Sequence, residues 1–325
     1  MVGLTMFFSS LIYTGCLYVP AAHAASEDGV AVENYDSSLR AHVYHYPVRP
    51  KRIVALWQNS IETLLSLGAV EDMAAAGGIS NPEYLSEENR QAYQRIPLRS
   101  NQVLNQEMLL MLQPDLIVGW LYDFTGHGTN IGRTDFWESR GTNVYMTLMN
   151  LAEFKPQHTV FDEERYILDL GKIVGKQDTA QSEVLLIEQE ISGGLLNPSM
   201  EGKTALVIGS LGRNLSVYTP RTLPGDVLQR LGVCVLGKEQ ERVGDTEFIS
   251  YEELLLMDPD IIFLQSASKD DDRPRQILLH LEAMRGLKAV QTQQIYCVPF
   301  YLLRCPGIRV LDTIRCFKNG LTSCH

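Results

Sequence analysis

Glu107-Met-Leu-Leu-Met-Leu-Gln-Pro114-Asp115-Leu-Ile-Val118 returns far down the chain as Glu252-Glu-Leu-Leu-Leu-Met-Asp-Pro259-Asp260-Ile-Ile-Phe263. In each stretch a glutamate opens an apolar helical run, a proline stops it, and a short apolar strand follows. Proline lacks the donor that an interior helical residue supplies, and it biases its predecessor away from helix, so the chain leaves the helix there. The glutamate stands the same distance before the proline both times. Two matching helix-Pro-Asp-strand units predict two similar lobes with a site between them.

Working outward, Arg52-Ile-Val-Ala-Leu56 reads as a buried strand and Ser60 to Leu67 as a helix stopped by Gly68. Strands are also expected at Met73–Gly78, Leu116–Gly119, Val144–Thr147, Thr204–Gly209, Leu215–Tyr218, Ile261–Leu264 and Gln294–Val298, with helices between them. This alternation predicts parallel α/β sheets. Pro156 to Val174 differs, because Val160, Ile167, Leu170 and Val174 follow a helical period across charged residues. Such a helix would span about 28 Å, roughly the breadth of one lobe. The expected layout is a signal peptide at 1–24, a mobile leader at 25–41, an α/β lobe at 42–155, a bridging helix at 156–174 and a second α/β lobe at 175–325.

The chain has 325 residues, a net charge of −11 and 45% hydrophobic residues, the composition of a soluble globular protein of two domains. It carries no Lys/Arg run of the kind a nucleic-acid binder needs. Leu4–Val19 is apolar and Ala22-His23-Ala24 fits a small-x-small cleavage site, so export to the periplasm is expected. A basic residue is missing from the start of this segment, and Cys16 offers a rival lipid-anchored reading. Cleavage leaves Cys234, Cys297, Cys305, Cys316 and Cys324, which contain no C-x-x-C pair and in an oxidising compartment favour disulfides over metal ligation. No Walker, G-x-S-x-G, H-E-x-x-H or G-x-G-x-x-G motif is found, and Gly209-Ser-Leu-Gly212 lacks a phosphate-binding lysine. An enzyme is therefore not expected, an envelope α/β hydrolase being the different-class alternative. His42, His45 and His127 complete no metal set, and no cofactor is expected.

Over residues 44–321 these motifs, in this order, resemble the class III periplasmic substrate-binding proteins of ABC importers, which deliver ferric siderophores, haem and cobalamin. Arg52–Leu56 with Glu62-Thr-Leu-Leu-Ser-Leu-Gly68 is similar to the family's opening strand and helix. Both Pro-Asp units match, and Pro306-Gly307-Ile308-Arg309-Val310-Leu311 is similar to its closing Gly-x-Arg segment. The resemblance implies two Rossmann-like lobes joined by a single long helix, a cleft that closes only modestly, and a monomer serving a permease dimer in the inner membrane. It implies that Glu107 and Glu252 dock against arginines of that dimer. As N-terminal helix residues, both would also favour the helix macrodipole. Cobalamin-binding relatives suggest a Cys234–Cys316 disulfide, with Cys297–Cys305 and Cys316–Cys324 as rivals.

Open α/β sheets bind ligands beyond the carboxyl ends of their strands. There the first lobe places Trp57, Arg99, Trp120 and Tyr122, and the second Arg213, Tyr218, Gln265, Tyr301 and Arg304. Rings suit the organic faces of a metal chelate, and a guanidinium forks onto hydroxamate or carboxylate oxygens. Ile96-Pro-Leu-Arg99-Ser100 is similar to the segment carrying the ligand-binding arginine of ferrichrome-type binding proteins, and Tyr122 lies near their ligand-binding tyrosine. Tyr301-Leu-Leu-Arg304 departs from their more aromatic segment. The expected cargo is a ferric siderophore that brings its own iron. Haem, held by Tyr84, Tyr122 or Tyr301, and cobalamin are the alternatives.

Overall fold

The computed structural model describes residues 29–47, 49–126, 131–147, 157–194, 202–237, 247–304 and 306–322. Strands β1 (Gly29–Tyr35) and β2 (Ala41–Pro47) form an antiparallel hairpin. Next, β3 (Ile53–Leu56), β4 (Met73–Gly77), β5 (Leu98–Ser100), β6 (Leu116–Trp120) and β7 (Asn143–Thr147) build an all-parallel sheet in the order β5-β4-β3-β6-β7. The hairpin corrects the reading of residues 25–41 as a mobile leader. Val32, Asn34 and Tyr46 are buried. The Tyr46 hydroxyl donates to the Val144 carbonyl at 2.8 Å, and the Asn34 side chain accepts from the Met146 amide at 3.3 Å, stitching the hairpin to edge strand β7.

The second sheet contains β8 (Thr204–Leu211), β9 (Leu215–Tyr218), β10 (Cys234–Val235), β11 (Glu247–Ile249), β12 (Ile261–Ser266) and β13 (Ile295–Pro299). Its order is β11-β9-β8-β12-β13, with β10 beside the first residues of β8. Here the expectation of a parallel sheet fails in part, because β9 runs antiparallel to both of its neighbours, β8 and β11. The Gly212-Arg213-Asn214 connection is too short for the crossover that parallel neighbours require, so β8 and β9 must fold as a hairpin.

The repeated units superimpose in their local chemistry. Asn105 and Ser250 cap the helices Gln106–Leu112 and Tyr251–Met257, accepting from the amides of Met108 and Glu253 at 2.9 and 3.1 Å. Each helix ends on a left-handed residue, Gln113 (φ 47°) or Asp258 (φ 41°), one step before the proline. The aspartate that follows holds the start of the neighbouring strand. Asp115 accepts from the amides of Lys51 and Arg52 at 2.6 and 2.9 Å, and Asp260 accepts from the amide and hydroxyl of Thr204, both at 2.9 Å. Hydrogen bonds to a charged acceptor are among the stronger ones, which gives the Pro-Asp pair a structural reason to appear twice.

Between the sheets run the helices Val160–Ile173 and Gln177–Gly194. The first starts later than expected, with Asp162 accepting from the Thr159 amide at 2.8 Å, while Pro156 lies outside the described residues. It is tied to both lobes. The Val160 amide donates to Asp226 at 2.8 Å on one side, and the Tyr145 hydroxyl donates to Asp169 at 3.3 Å on the other.

A second junction comes from the chain's return. The Ile308 amide donates to the Thr63 hydroxyl at 3.1 Å, placing Gly307 on the helix Gln58–Ser66 of the first lobe. A Cβ on Gly307 would lie 2.7 Å from that hydroxyl and its φ is +50°, so only glycine fits. Arg309 then reaches the fully buried Glu62 (Nε to Oε2 3.7 Å). Burial pushes the Glu62 carboxyl up; Arg309 and hydrogen bonds from Gln58 and Ser86 oppose that.

The Cys234–Cys316 disulfide is not present. Both are free thiols, as is Cys297. Cys234 lies exposed on β10, whereas Cys316 packs against the core from the helix Val310–Thr322. Cys305 and Cys324 lie outside the described residues, as do His127 and the segment read as a signal peptide.

Candidate ligand-binding cleft

Chain order in the first sheet reverses between β3 and β6, since β4 and β5 build outward from one and β7 from the other. At such a switch point the loops leave in opposite directions and open a crevice beyond the strand ends. Trp57 directly follows β3 and Trp120 ends β6, so two indoles stand at this switch point. Their rings stack with centroids 4.8 Å apart and planes 20° from parallel.

The pair is held by buried polar groups. Asp123 accepts from the Trp57 indole N–H and from the Trp120 backbone amide, both at 2.8 Å. Asn59 accepts from the Trp120 indole at 2.8 Å. The Trp57 backbone is strained, at φ 70° and ψ 155°, and its amide donates to the Gly77 carbonyl at 2.8 Å. A bulky residue at positive φ persists only where its surroundings over-determine it, and such strain clusters at binding sites. Gly78 allows the geometry, for a Cβ there would press on both the Trp57 backbone and its ring at 3.2–3.3 Å.

The second sheet switches between β8 and β12. Gln265, near the end of β12, accepts from the Tyr218 hydroxyl at 2.8 Å, and Arg304 donates to that hydroxyl at 3.2 Å. Three residues named from sequence therefore form one chain, although Tyr218 itself is buried. Tyr301 is mostly buried too, stacked on Tyr84 of the first lobe with centroids 5.3 Å apart. Phe300 meets the same Tyr84 edge-on at 5.2 Å. The lobes thus touch through aromatics beside the Arg309–Glu62 contact. Because Gly307 abuts Asn59, the partner of Trp120, this junction lies next to the tryptophan pair.

The remaining candidates are more dispersed. Arg99 is exposed on the edge strand β5, and its guanidinium bonds the carbonyls of Gln94 (2.9 Å) and Ile96. Among the described residues none of its contacts is to the tryptophans. Tyr122 is exposed in the turn after β6, and Arg213 is exposed in the β8–β9 turn. Of the three tyrosines considered for haem, Tyr84 and Tyr301 are stacked on each other and Tyr122 is exposed. Sequence reading missed Asn59 and Asp123. Asp123 had a signal, standing three residues past the strand end where a helix-capping carboxylate belongs. Among the described residues no cluster of three His, Cys, Asp or Glu side chains is close enough to share a metal ion.

Comparison with known proteins agrees with this architecture. Residues 53–302 match the periplasmic binding protein family, and the chain belongs to it. The fold and the family match thus define a non-enzymatic substrate-binding protein of the ABC-transporter class. Among curated relatives, the chain is similar to the putative ABC transporter substrate-binding lipoprotein YhfQ of Bacillus subtilis (strain 168), 25% identical over 314 residues that cover 91% of this chain and 88% of that one. A periplasmic binding protein from Veillonella parvula DSM 2008 has a similar solved structure, at TM-score 0.79 and 29% identity, covering 91% of this chain and 92% of the other. An ABC-type Fe3+-hydroxamate transport system protein from Saccharomonospora viridis DSM 43017 shares the fold at TM-score 0.68 and 19% identity, covering 90% and 98%. No described helix is long and apolar enough to cross a membrane.

Proposed function

We propose that this chain captures a ferric siderophore of the hydroxamate type between its lobes and presents it, outside the inner membrane, to an ABC permease dimer. The observation that carries the reading is the strained, stacked Trp57–Trp120 pair at the switch point of the first sheet. A flat apolar wall suits the organic shell of an iron chelate, and the site is preformed, which limits the ordering cost of binding. Arg99 supplies the hydroxamate preference. It keeps Nε and Nη2 without partners among the described residues, free to fork onto chelate oxygens. Across the cleft, Arg304 on Tyr218 and Gln265 offers a second polar anchor. Glu107 and Glu252, exposed on the two repeat helices, dock on cationic side chains of the permease.

Tryptophan-fluorescence titration with ferrichrome, a ferric catecholate, haemin and cobalamin tests the cargo. Strong quenching by ferrichrome is expected, reduced in a Trp120→Ala variant. Tight haemin binding without ferrichrome binding would replace the siderophore by haem and make Tyr122 the residue to mutate.

A further inference from the structure

The two repeat helices expose more than their glutamates. Met111 is 84% exposed and Leu256 is 86% exposed, and their preceding neighbours Leu110 and Leu255 are 41% and 38% exposed. Met111 follows Glu107 by the interval at which Leu256 follows Glu252, so on each helix the glutamate and the apolar pair share one face. That face is fixed in both cases by a fully buried leucine, Leu109 or Leu254. Single exposed apolar residues are ordinary. The same exposure, in the same register, on matching elements of two lobes whose sheets otherwise differ, is not explained by chance surface composition.

We infer that Met111 with Leu110, and Leu256 with Leu255, are a matched pair of apolar docking points for the two-fold permease, each seated beside the cation that receives the adjacent glutamate. The inference rests on the reading that this chain delivers cargo to such a permease. Two equivalent patches need a partner with two equivalent recesses. A second copy of this chain fits less well, because a two-fold homodimer needs only one self-complementary patch and would set glutamate against glutamate on a chain of net charge −11. A partner with positive charge beside each recess is complementary. Exposed methionine and leucine adapt to such recesses without a rigid fit, and methionine is enriched at interfaces.

The test uses the full-length protein with Met111→Ser, Leu256→Ser, the double variant and Glu107→Lys/Glu252→Lys. Each is added to proteoliposomes holding the permease–ATPase complex that the unaltered protein stimulates. The double serine variant is expected to need about tenfold more protein for half-maximal ATPase stimulation, and each single variant less, a loss of hot-spot size. Ferrichrome titration and melting temperature are expected to stay unchanged. An unaltered half-maximal concentration for the double serine variant would overturn the inference, and if the lysine variant were still impaired the docking role of the glutamates would stand. Impairment of the serine variant alone would support the apolar pair and remove the glutamates from the interface. A concentration-dependent dimer that the serine substitutions dissolve would overturn the inference in favour of self-association.

Discussion

The two lobes agree at the base of their sheets and diverge at the top. Both use the same cap, left-handed helix end, proline and strand-holding aspartate. Beyond the strand ends, the first lobe carries a stacked tryptophan pair buttressed by Asp123 and Asn59, while the second carries the Tyr218–Gln265–Arg304 chain and an antiparallel hairpin. On the proposed function, the shared part positions and the divergent part recognises. A flat apolar wall opposite a polar one fits a cargo with an organic face and a charged or oxygen-rich face.

Reversing both glutamates, Glu107→Lys with Glu252→Lys, should give the largest effect: importer stimulation lost while ferrichrome affinity is retained. Normal transport would remove the glutamates from the docking interface. Trp120→Ala should weaken ferrichrome binding by about 2 kcal/mol, near thirtyfold, as expected for a truncated aromatic anchor. Gln265→Leu should cost less, because the second wall keeps Arg304. Equal losses at the two positions would erase the division between stacking and polar walls. In chemical denaturation, Asp260→Ala should destabilise by about 1–3 kcal/mol, since it strands the half-buried donors of Thr204, and Asp115→Ala by less, since the Lys51 and Arg52 amides that it releases are exposed to water. Equal losses for these two variants would mean that exposure of the donors does not set the cost.

The smallest effect concerns the helix Val160–Ile173. Burial, reinforced by the neighbouring Glu188 and Asp226 and opposed by Arg230, raises the Glu164 carboxyl to about 7. A carboxyl raised in the fold contributes stability below its unfolded value that is lost as pH rises through the folded one. Glu164→Gln should therefore raise the melting temperature by a few degrees at pH 8 and leave it nearly unchanged at pH 4, measured in parallel calorimetric scans. A gain of equal size at both pH values would point to packing rather than ionisation.

Much of this architecture was legible because proline and apolar periodicity act locally. The β3 strand, both repeat helices and the strands that follow them fall within a residue or two of where the sequence puts them. The position of Trp57 and Trp120 at the ends of β3 and β6 was legible for the same reason: each is an aromatic that closes an apolar run. What failed depended on distant partners. Residues 29–35 look small and polar, and only pairing with 41–47 and packing on β7 make them a strand. The mixed second sheet was readable in principle from the short turn at 212–214, a hairpin signal outweighed by the strand–helix alternation around it. No local pattern shows that Arg309 finds Glu62, or that Cys234 and Cys316 face different surroundings.

The return of the chain at Gly307 has a mechanical consequence. Swinging the lobes apart would draw Arg309 from Glu62 and break the Ile308–Thr63 hydrogen bond, leaving the carboxyl to the donors of its own lobe, Gln58 and Ser86. The junction is thus a latch: any change in the gap between the lobes must first release these contacts.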